Sequence, residues 1–262
     1  MRKTTAAGIA ALVAILMVGC AKPPSAKQVL QKTSATYQKA KTLRIEASNS
    51  SEFRVDNQWQ GNGSLVSTEF ERPNKVRQQL VGAKSPSVIS DGKNAYFYVD
   101  QMQTYVQVPP ERLVTGVSQD PAGARVLRSA VEKDAFKNVK GAKILEDETV
   151  DGVDSYVVQF TPTQVLPMRG MEKAKLTEKL WIGKQDFIVR KGVLIAKQKA
   201  PASEGKHEAT FTLTSVLTKQ EIDKPISRSE FVLPKGSKVT RMPAMPTAPP
   251  HGGSEKTGPE GR

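Results

Sequence analysis

The sequence predicts an α+β domain whose strands form an antiparallel sheet. Two segments show helical periodicity, at residues 25–41 and 121–136, and a run of alternating apolar and polar residues follows each of them. Connections within those runs are short, and two of them are the Asp-Gly pairs at 91–92 and 151–152, which favour hairpin turns. Strands that no helix separates pair with their neighbours along the chain, so the expected sheet is antiparallel.

The two helices are predicted from capping and periodicity. Ser25 is a residue type that caps helix N-termini, and apolar residues then recur at spacings of three and four. In the second segment the same spacing gives one apolar stripe. The expected stripes contain Val29, Leu30 and Tyr37 in the first helix and Val126, Leu127 and Val131 in the second.

The first 20 residues have the pattern of an export signal. A short basic stretch precedes 14 apolar or small residues at 6–19, a length typical of a signal peptide and too short for a spanning helix. The run ends in "LMVGC", and Cys20 is the single cysteine of the chain. That ending resembles a bacterial lipobox, which implies a lipid on Cys20 and a membrane-anchored protein. An ordinary secretory signal with an incidental cysteine is the alternative.

The charge distribution suggests contact with an anionic surface. The chain has a formal net charge of +13, with six Lys or Arg against one Glu in residues 21–50 and nine against three acidic residues in 161–200. Beside a lipid anchor this pattern favours an anionic membrane over nucleic acid as the partner. A merely solvated basic face remains open.

Residues 88–108 concentrate aromatic side chains on one predicted hairpin. Tyr96, Tyr98 and Tyr105 are three of the five tyrosines of the chain, and Phe97 lies among them. Both faces of this hairpin are therefore partly apolar, which predicts that each face is at least locally covered. Ordinary core packing and contact with a ligand both explain the pattern.

The sequence offers little for catalysis, so we expect no enzyme activity, no metal and no cofactor. The two histidines, His207 and His251, do not stand in a metal-binding spacing, and no nucleophile or phosphate-loop motif occurs. The acidic run at 146–154 lacks the spaced pattern of a calcium loop and is better explained as a solvated strand edge. An envelope hydrolase is disfavoured for the same reasons.

Several short motifs in order resemble the LolA/LolB family of lipoprotein carriers and receptors. These are a glycine-rich strand at 61–67, Arg72-Pro73-Asn74, the Asp91-Gly92-Lys93 turn before the aromatic strand, and "SRSEFVLPKGSKV" at 227–239. Together they extend over about residues 25–240. Val76 and Tyr96 depart from the aromatic residues common at the corresponding family positions.

The resemblance implies an unclosed, strongly curved antiparallel β-barrel, a half-barrel covered by helices that act as a lid. The space between sheet and lid would bind a lipid or acyl chain, possible lipoprotein cargo included. By position, the family's lid-holding arginine corresponds to Arg72. The residues expected to border the cavity are Leu80, Phe97, Val99, Val106, Val126, Leu127 and Val131.

The expected organisation is a signal peptide at 1–19, a lipidated Cys20 with a tether to residue 24, a ligand-binding domain at 25–241 and a disordered Pro/Gly-rich tail at 242–262. The location would be the periplasmic side of the envelope, and the absence of Asp after Cys20 favours the outer membrane. A LolB-like protruding loop would correspond to 165–171. The alternative function is a protein-interaction or stress-sensing module on the same fold that carries no lipid.

Overall fold

The computed structural model describes residues 23–55, 58–109, 121–133, 135–162, 174–199 and 208–241. Helix α1 is Ala26–Lys39 and helix α2 is Pro121–Val131, and short 3-10 turns lie at Asp100–Met102 and Arg228–Phe231. The strands are β1 Thr42–Val55, β2 Gln58–Glu71, β3 Lys75–Leu80, β4 Val88–Asp91, β5 Ala95–Val99, β6 Thr104–Val108, β7 Lys140–Ile144, β8 Glu148–Val150, β9 Val153–Thr161, β10 Lys175–Gly183, β11 Val189–Lys199, β12 Glu208–Ile222 and β13 Val239–Arg241.

All the described strands belong to one sheet, whose order is β13-β6-β5-β4-β3-β2-β1-β12-β11-β10-β9-β7, with β8 also paired to β9. Neighbours pair antiparallel except β13 and β6, which are parallel. The order ends at β13 and β7, and within the described ranges these two edges do not pair with each other. The sheet is therefore a curved, unclosed half-barrel that carries two helices, as the predicted fold class requires.

Helix α1 forms where the sequence predicts it because its N-terminus carries a complete capping box. The Ser25 hydroxyl accepts from the backbone N–H of Gln28 at 3.3 Å, and the Gln28 side chain accepts from the backbone N–H of Ser25 at 2.8 Å. Val29, Leu30 and Tyr37 then lie on the buried side. Helix α2 ends at Val131, five residues before the predicted end, and Phe136 is buried in the following turn.

One apolar core lies between the helices and the concave face of the sheet. It includes Val29 and Leu30 of α1, Val126 of α2, Phe70 of β2 and Phe160 of β9, so it joins both halves of the sheet around the helices. Apolar area removed from water is the main stabilising contribution here. Strand alternation places one set of side chains in this core and the other set on the convex face.

The two Asp-Gly turns differ in conformation. Asp151 and Gly152 both have positive φ, 48° and 77°, as a type I′ hairpin needs. At the other turn only Gly92 has positive φ, 93°. The Asp91 carboxylate there accepts from the backbone N–H groups of Lys93 and Asn94, both at 2.8 Å, so a side chain closes the longer turn.

Helix α2 approaches the sheet closely at its first turn. A Cβ on Gly192 of β11 would lie 2.8 Å from the backbone nitrogen of Ala122, closer than two such atoms tolerate. The missing side chain therefore lets the helix backbone lie directly on the strand. This contact fixes the distance between the helical cover and the concave face.

Candidate functional site: the concave face and its helical cover

Arg72 links the C-termini of both helices to the end of β2. Its guanidinium donates through Nε to the carbonyl oxygen of Ala40 at 2.7 Å, and through Nη2 to those of Gln38 at 2.5 Å and Ala130 at 2.6 Å. The last carbonyls of a helix lack partners within the helix and form the negative end of its dipole. One cation therefore satisfies both helix ends and holds them against the sheet.

Gln38 adds a second link between the helix ends. Its side-chain Nε2 donates to the carbonyl oxygen of Glu132 at 3.1 Å and to that of Lys133, just beyond α2. It also contacts the Ser34 hydroxyl at 3.2 Å within α1. Gln38 therefore connects the C-terminal end of α1 to the residues that follow α2.

A buried ion pair fixes the middle of α2 to β10. Arg125 and Glu178 form two parallel hydrogen bonds, Nε to Oε1 at 2.7 Å and Nη2 to Oε2 at 2.6 Å. Burial disfavours the charge on Arg125, but the facing carboxylate outweighs it and raises the pKa of the guanidinium. The guanidinium also lies 5.4 Å from the ring centroid of Phe160 and 5.9 Å from that of Phe136. Helix α2 is thus attached at its start, middle and end.

Tyr37 ties α1 to the strands beneath it. Its fully buried hydroxyl donates to Oε1 of Gln220 at 2.9 Å and accepts from the backbone N–H of Val189 at 3.0 Å. Burial raises the pKa of Tyr37, and the hydrogen bond from Val189 opposes that effect only in part. The phenol is therefore a neutral connection between the helix and β11–β12.

Five of the seven residues expected to border the ligand space come together in the core. Val126 and Leu127 are buried in it, and Phe97, Val106 and Val131 pack against it. Two residues depart from the expectation. Leu80 ends β3 with 47% of its surface exposed, and Val99 ends β5 outside this core.

The aromatic hairpin divides its rings between the two faces. Phe97 points to the core, whereas Tyr98 and Tyr105 form a pair on the opposite face with ring centroids 5.0 Å apart. The hydroxyl of Tyr105 donates to the carbonyl oxygen of Pro86 at 3.2 Å. For these two tyrosines the packing explanation accounts for the contacts.

An apolar strip that the sequence reasoning missed continues the concave face toward the far ends of the long strands. Cross-strand register places Phe53 opposite Phe211 and Leu194 opposite Leu213. Phe53 is 40% exposed and Leu213 only 8%, so the strip runs from the core edge outward. Alternation within "SEFRV" and "ATFTL" was the available signal. Leu176 of β10 pairs with Ala196 of β11 and lies on the same face of its strand as the core residue Leu180. We call Phe53, Leu176, Leu194, Phe211 and Leu213 the distal strip.

Two unpartnered polar groups lie between the core and the distal strip. Asn49 and Ser215 face each other across β1 and β12, and neither Oδ1 of Asn49 nor Oγ of Ser215 has a hydrogen-bond partner although both atoms are buried. Gly192, which contacts α2, is the next residue across the sheet from Ser215. The concave wall thus offers hydrogen-bonding capacity beside its apolar surface.

A groove of about 270 Å³ on the convex face has a different character. Its lining includes Glu69, Arg77, Gln79 and Glu230. Arg77 pairs with Glu230 and also donates to Gln79 at 2.5 Å. The charged groups of this groove are largely directed at one another, so it does not suit an apolar chain.

Within the described ranges no cluster of His, Cys, Asp or Glu has a metal-binding arrangement. Among the described helices none is both long and apolar enough to cross a bilayer. Cys20, the signal region, the loop at 165–171 and the tail at 242–262 lie outside the described residues. Their predicted roles stay predictions.

Solved structures with similar chain paths come from several bacteria. An uncharacterised conserved protein from Thermus thermophilus aligns with TM-score 0.45 and 9% identity over 83% of this chain and 99% of that one. The Mycobacterium tuberculosis lipoprotein LppX gives 0.42 and 12%, over 76% and 95%. The LolA superfamily protein NE2245 from Nitrosomonas europaea gives 0.34 and 8%, over 80% and 98%. Similarities this distant carry no argument about function.

A comparison with curated proteins gives no match. The family model described as "Predicted periplasmic protein (DUF2092)" matches residues 26–242. That range begins with the first residue of α1 and ends just after β13, so it contains both helices and the whole described sheet. The chain therefore belongs to the DUF2092 family of predicted periplasmic proteins.

Proposed function

We propose that this protein is a membrane-anchored lipoprotein that binds a lipid or acylated molecule against the concave face of its sheet. The observation that carries the proposal is the distal strip, an apolar surface that continues the core but is not fully covered. Phe53, 40% exposed, is its outermost ring. An acyl chain laid along this strip would remove apolar area from water, at about 25 cal/mol for each Å².

Two polar groups of the concave wall indicate which chemical class of ligand fits the site. Asn49 Oδ1 and Ser215 Oγ are buried without partners next to the strip, and such groups favour a ligand that brings a hydrogen-bonding group. An amide or hydroxyl near one end of an acyl chain meets this requirement because it can donate a hydrogen bond to Asn49 Oδ1, whereas a plain hydrocarbon cannot. The proposed ligand is therefore an amphiphile.

Opening of the cover at the C-terminal end of α2 would admit the ligand. Arg72 attaches this end through part-buried hydrogen bonds that water can replace, whereas the buried Arg125–Glu178 pair keeps the middle of the helix attached. Release of the C-terminal contact at Arg72 would let α2 lift while Gly192 and Ala122 remain adjacent. In this arrangement Arg72 holds the cover closed.

The test uses residues 22–262, a fragment that retains every described core residue, since these lie between Ala26 and Phe231. Native mass spectrometry of the purified fragment after incubation with a membrane lipid extract should show a retained lipid. Dansylated undecanoic acid should bind with enhanced fluorescence. Phe53→Asp should weaken that binding about tenfold or more, because a carboxylate must then be desolvated beside the acyl chain.

The matched control is Leu65→Asp. Leu65 lies on the convex face of β2 and is 38% exposed, nearly the same as Phe53. Its substitution should change the affinity for the dansyl probe less than twofold. Equal losses in the two variants, or a protein that retains no lipid and binds no probe, would reject the concave site and favour the interaction-module alternative.

A further inference from the structure

A row of exposed cations and a tryptophan crosses the far end of the convex face. Cross-strand register aligns Trp59, Arg54, Thr210, Lys197 and Lys175 on five adjacent strands, β2, β1, β12, β11 and β10. At about 4.8 Å between neighbouring strands the row is roughly 19 Å long. We call these five residues the distal row.

The members of the distal row point to solvent. Trp59 is 65% exposed, the highest value among the large apolar side chains of the described residues. Arg54 and Lys175 are exposed as well, and the Lys197 side chain is 58% exposed although it lies 3.2 Å from Glu208. An indole and three cations in one line combine the two side-chain types that prefer the headgroup region of a bilayer.

The distal row and the distal strip occupy the two faces of the same strand ends. Phe53 and Arg54 are consecutive in β1, so one faces the concave strip and the other the convex row. A ligand leaving the strip at this end therefore emerges beside the cations. Contact of this end with a membrane would place the mouth of the proposed site against the lipid.

We propose that the distal row docks the protein onto an anionic lipid bilayer, with Trp59 at the headgroup level and Arg54, Lys175 and Lys197 near lipid phosphates. The inference rests on the proposed function, because a protein that binds an acyl ligand must exchange it with a membrane. The two can be tested separately, because vesicle binding requires the distal row and not the distal strip.

The experiment measures binding of the 22–262 fragment to vesicles of phosphatidylcholine with and without 30% phosphatidylglycerol, a composition chosen as roughly that of an anionic leaflet. Brominated lipid should quench the fluorescence of Trp59. It should leave the fluorescence of Trp181, the second of the two tryptophans, unchanged because that residue is only 5% exposed. The Trp59→Phe variant, which retains Trp181 alone, should show no quenching.

Neutralising two cations of the distal row tests the docking proposal quantitatively. Each cation near an anionic surface contributes about a fivefold factor in binding, so Arg54→Gln with Lys197→Gln should weaken vesicle binding roughly 25-fold. Lys93→Gln with Lys224→Gln is the control. It makes the same charge change at the opposite strand ends, near Thr42, where both lysines are exposed.

Selective loss in the distal variant, together with bromine quenching of Trp59, is the expected result. Three outcomes would overturn the docking proposal. They are an equal loss of vesicle binding in both double variants, equal binding to neutral and anionic vesicles, and vesicle binding without quenching of Trp59 fluorescence. In each variant the dansyl probe is titrated in the absence of vesicles. If a variant loses vesicle binding but keeps its affinity for the probe, the docking surface is separate from the concave site. If the probe fails to bind while vesicle binding persists, only the proposed function is contradicted.

Discussion

Replacing Arg72 by leucine tests the attachment of the helical cover directly. The substitution removes three hydrogen bonds from a charged donor, to the carbonyl oxygens of Gln38, Ala40 and Ala130. A hydrogen bond to a charged group contributes about 1.5–3 kcal/mol, and the site is half-buried, so water replaces part of the loss. We therefore expect the closed state to lose about 3 kcal/mol, a factor of roughly 150 in the closed-to-open ratio.

Hydrogen exchange measured by mass spectrometry follows this ratio. Amides of α2 and of the last turn of α1 should exchange up to roughly 150-fold faster in Arg72→Leu, because they exchange through opening of the cover. Release of the dansyl probe should accelerate in the same direction. Both measurements follow the helices rather than the average stability of the sheet.

Arg77→Leu is the matched control for this experiment. Arg77 lies on β3, pairs with Glu230 on the convex face and has no hydrogen bond to α1 or α2 among the described contacts. Exchange in α2 should stay within about threefold of the unsubstituted protein, as expected for loss of a surface pair. If Arg72→Leu leaves both α2 exchange and probe release unchanged, the reasoning that Arg72 holds the cover closed is refuted.

Two further predictions concern buried polar groups. Arg125→Met should lower the free energy of unfolding by about 3–5 kcal/mol, because it leaves Glu178 charged and buried, whereas Arg125→Met combined with Glu178→Leu should recover most of that loss in urea titrations. An undiminished deficit in the double variant would contradict this. Burial raises the pKa of Tyr37 above its ordinary value of 10.0, so its stabilising contribution is complete below pH 10 and declines as the pH rises further. Between pH 10 and 11 the free energy of unfolding should fall by about 1 kcal/mol more in the unsubstituted protein than in Tyr37→Phe, and equal falls would show that the phenol ionises freely.

Local sequence signals predicted the elements well where the deciding interactions are local. The capping box of Ser25 and Gln28 lies within four residues, and it set the start of α1 as predicted. Positive φ at Asp151 and Gly152 follows from the turn chemistry of that pair. The Asp91 turn differed because a side-chain hydrogen bond competed with the tight hairpin geometry.

The candidate site was predictable only in part. Apolar periodicity placed Val126 and Leu127 in the core, and the family resemblance singled out Arg72, whose guanidinium donates hydrogen bonds at both helix ends. Alternation also assigns Leu80 to the concave side, with Val76 and Gln78, but it does not tell how far a cover extends. Leu80 is 47% exposed although its position in β3 is on the concave side.

By itself the sequence determined the α+β class, the two helices, the strand alternation and the aromatic hairpin, since each depends on neighbours within a few residues. The tertiary structure decided which carbonyls Arg72 meets, the pairing of Arg125 with Glu178, and the alignment of Trp59 with Arg54, Lys197 and Lys175. The hydrogen bonds of Arg72 join residues 32 to 58 positions apart, and Arg125 and Glu178 are 53 positions apart. Within the distal row, Arg54 and Thr210 are paired across 156 positions. Register and curvature of the whole sheet bring them together, and no local pattern encodes that geometry.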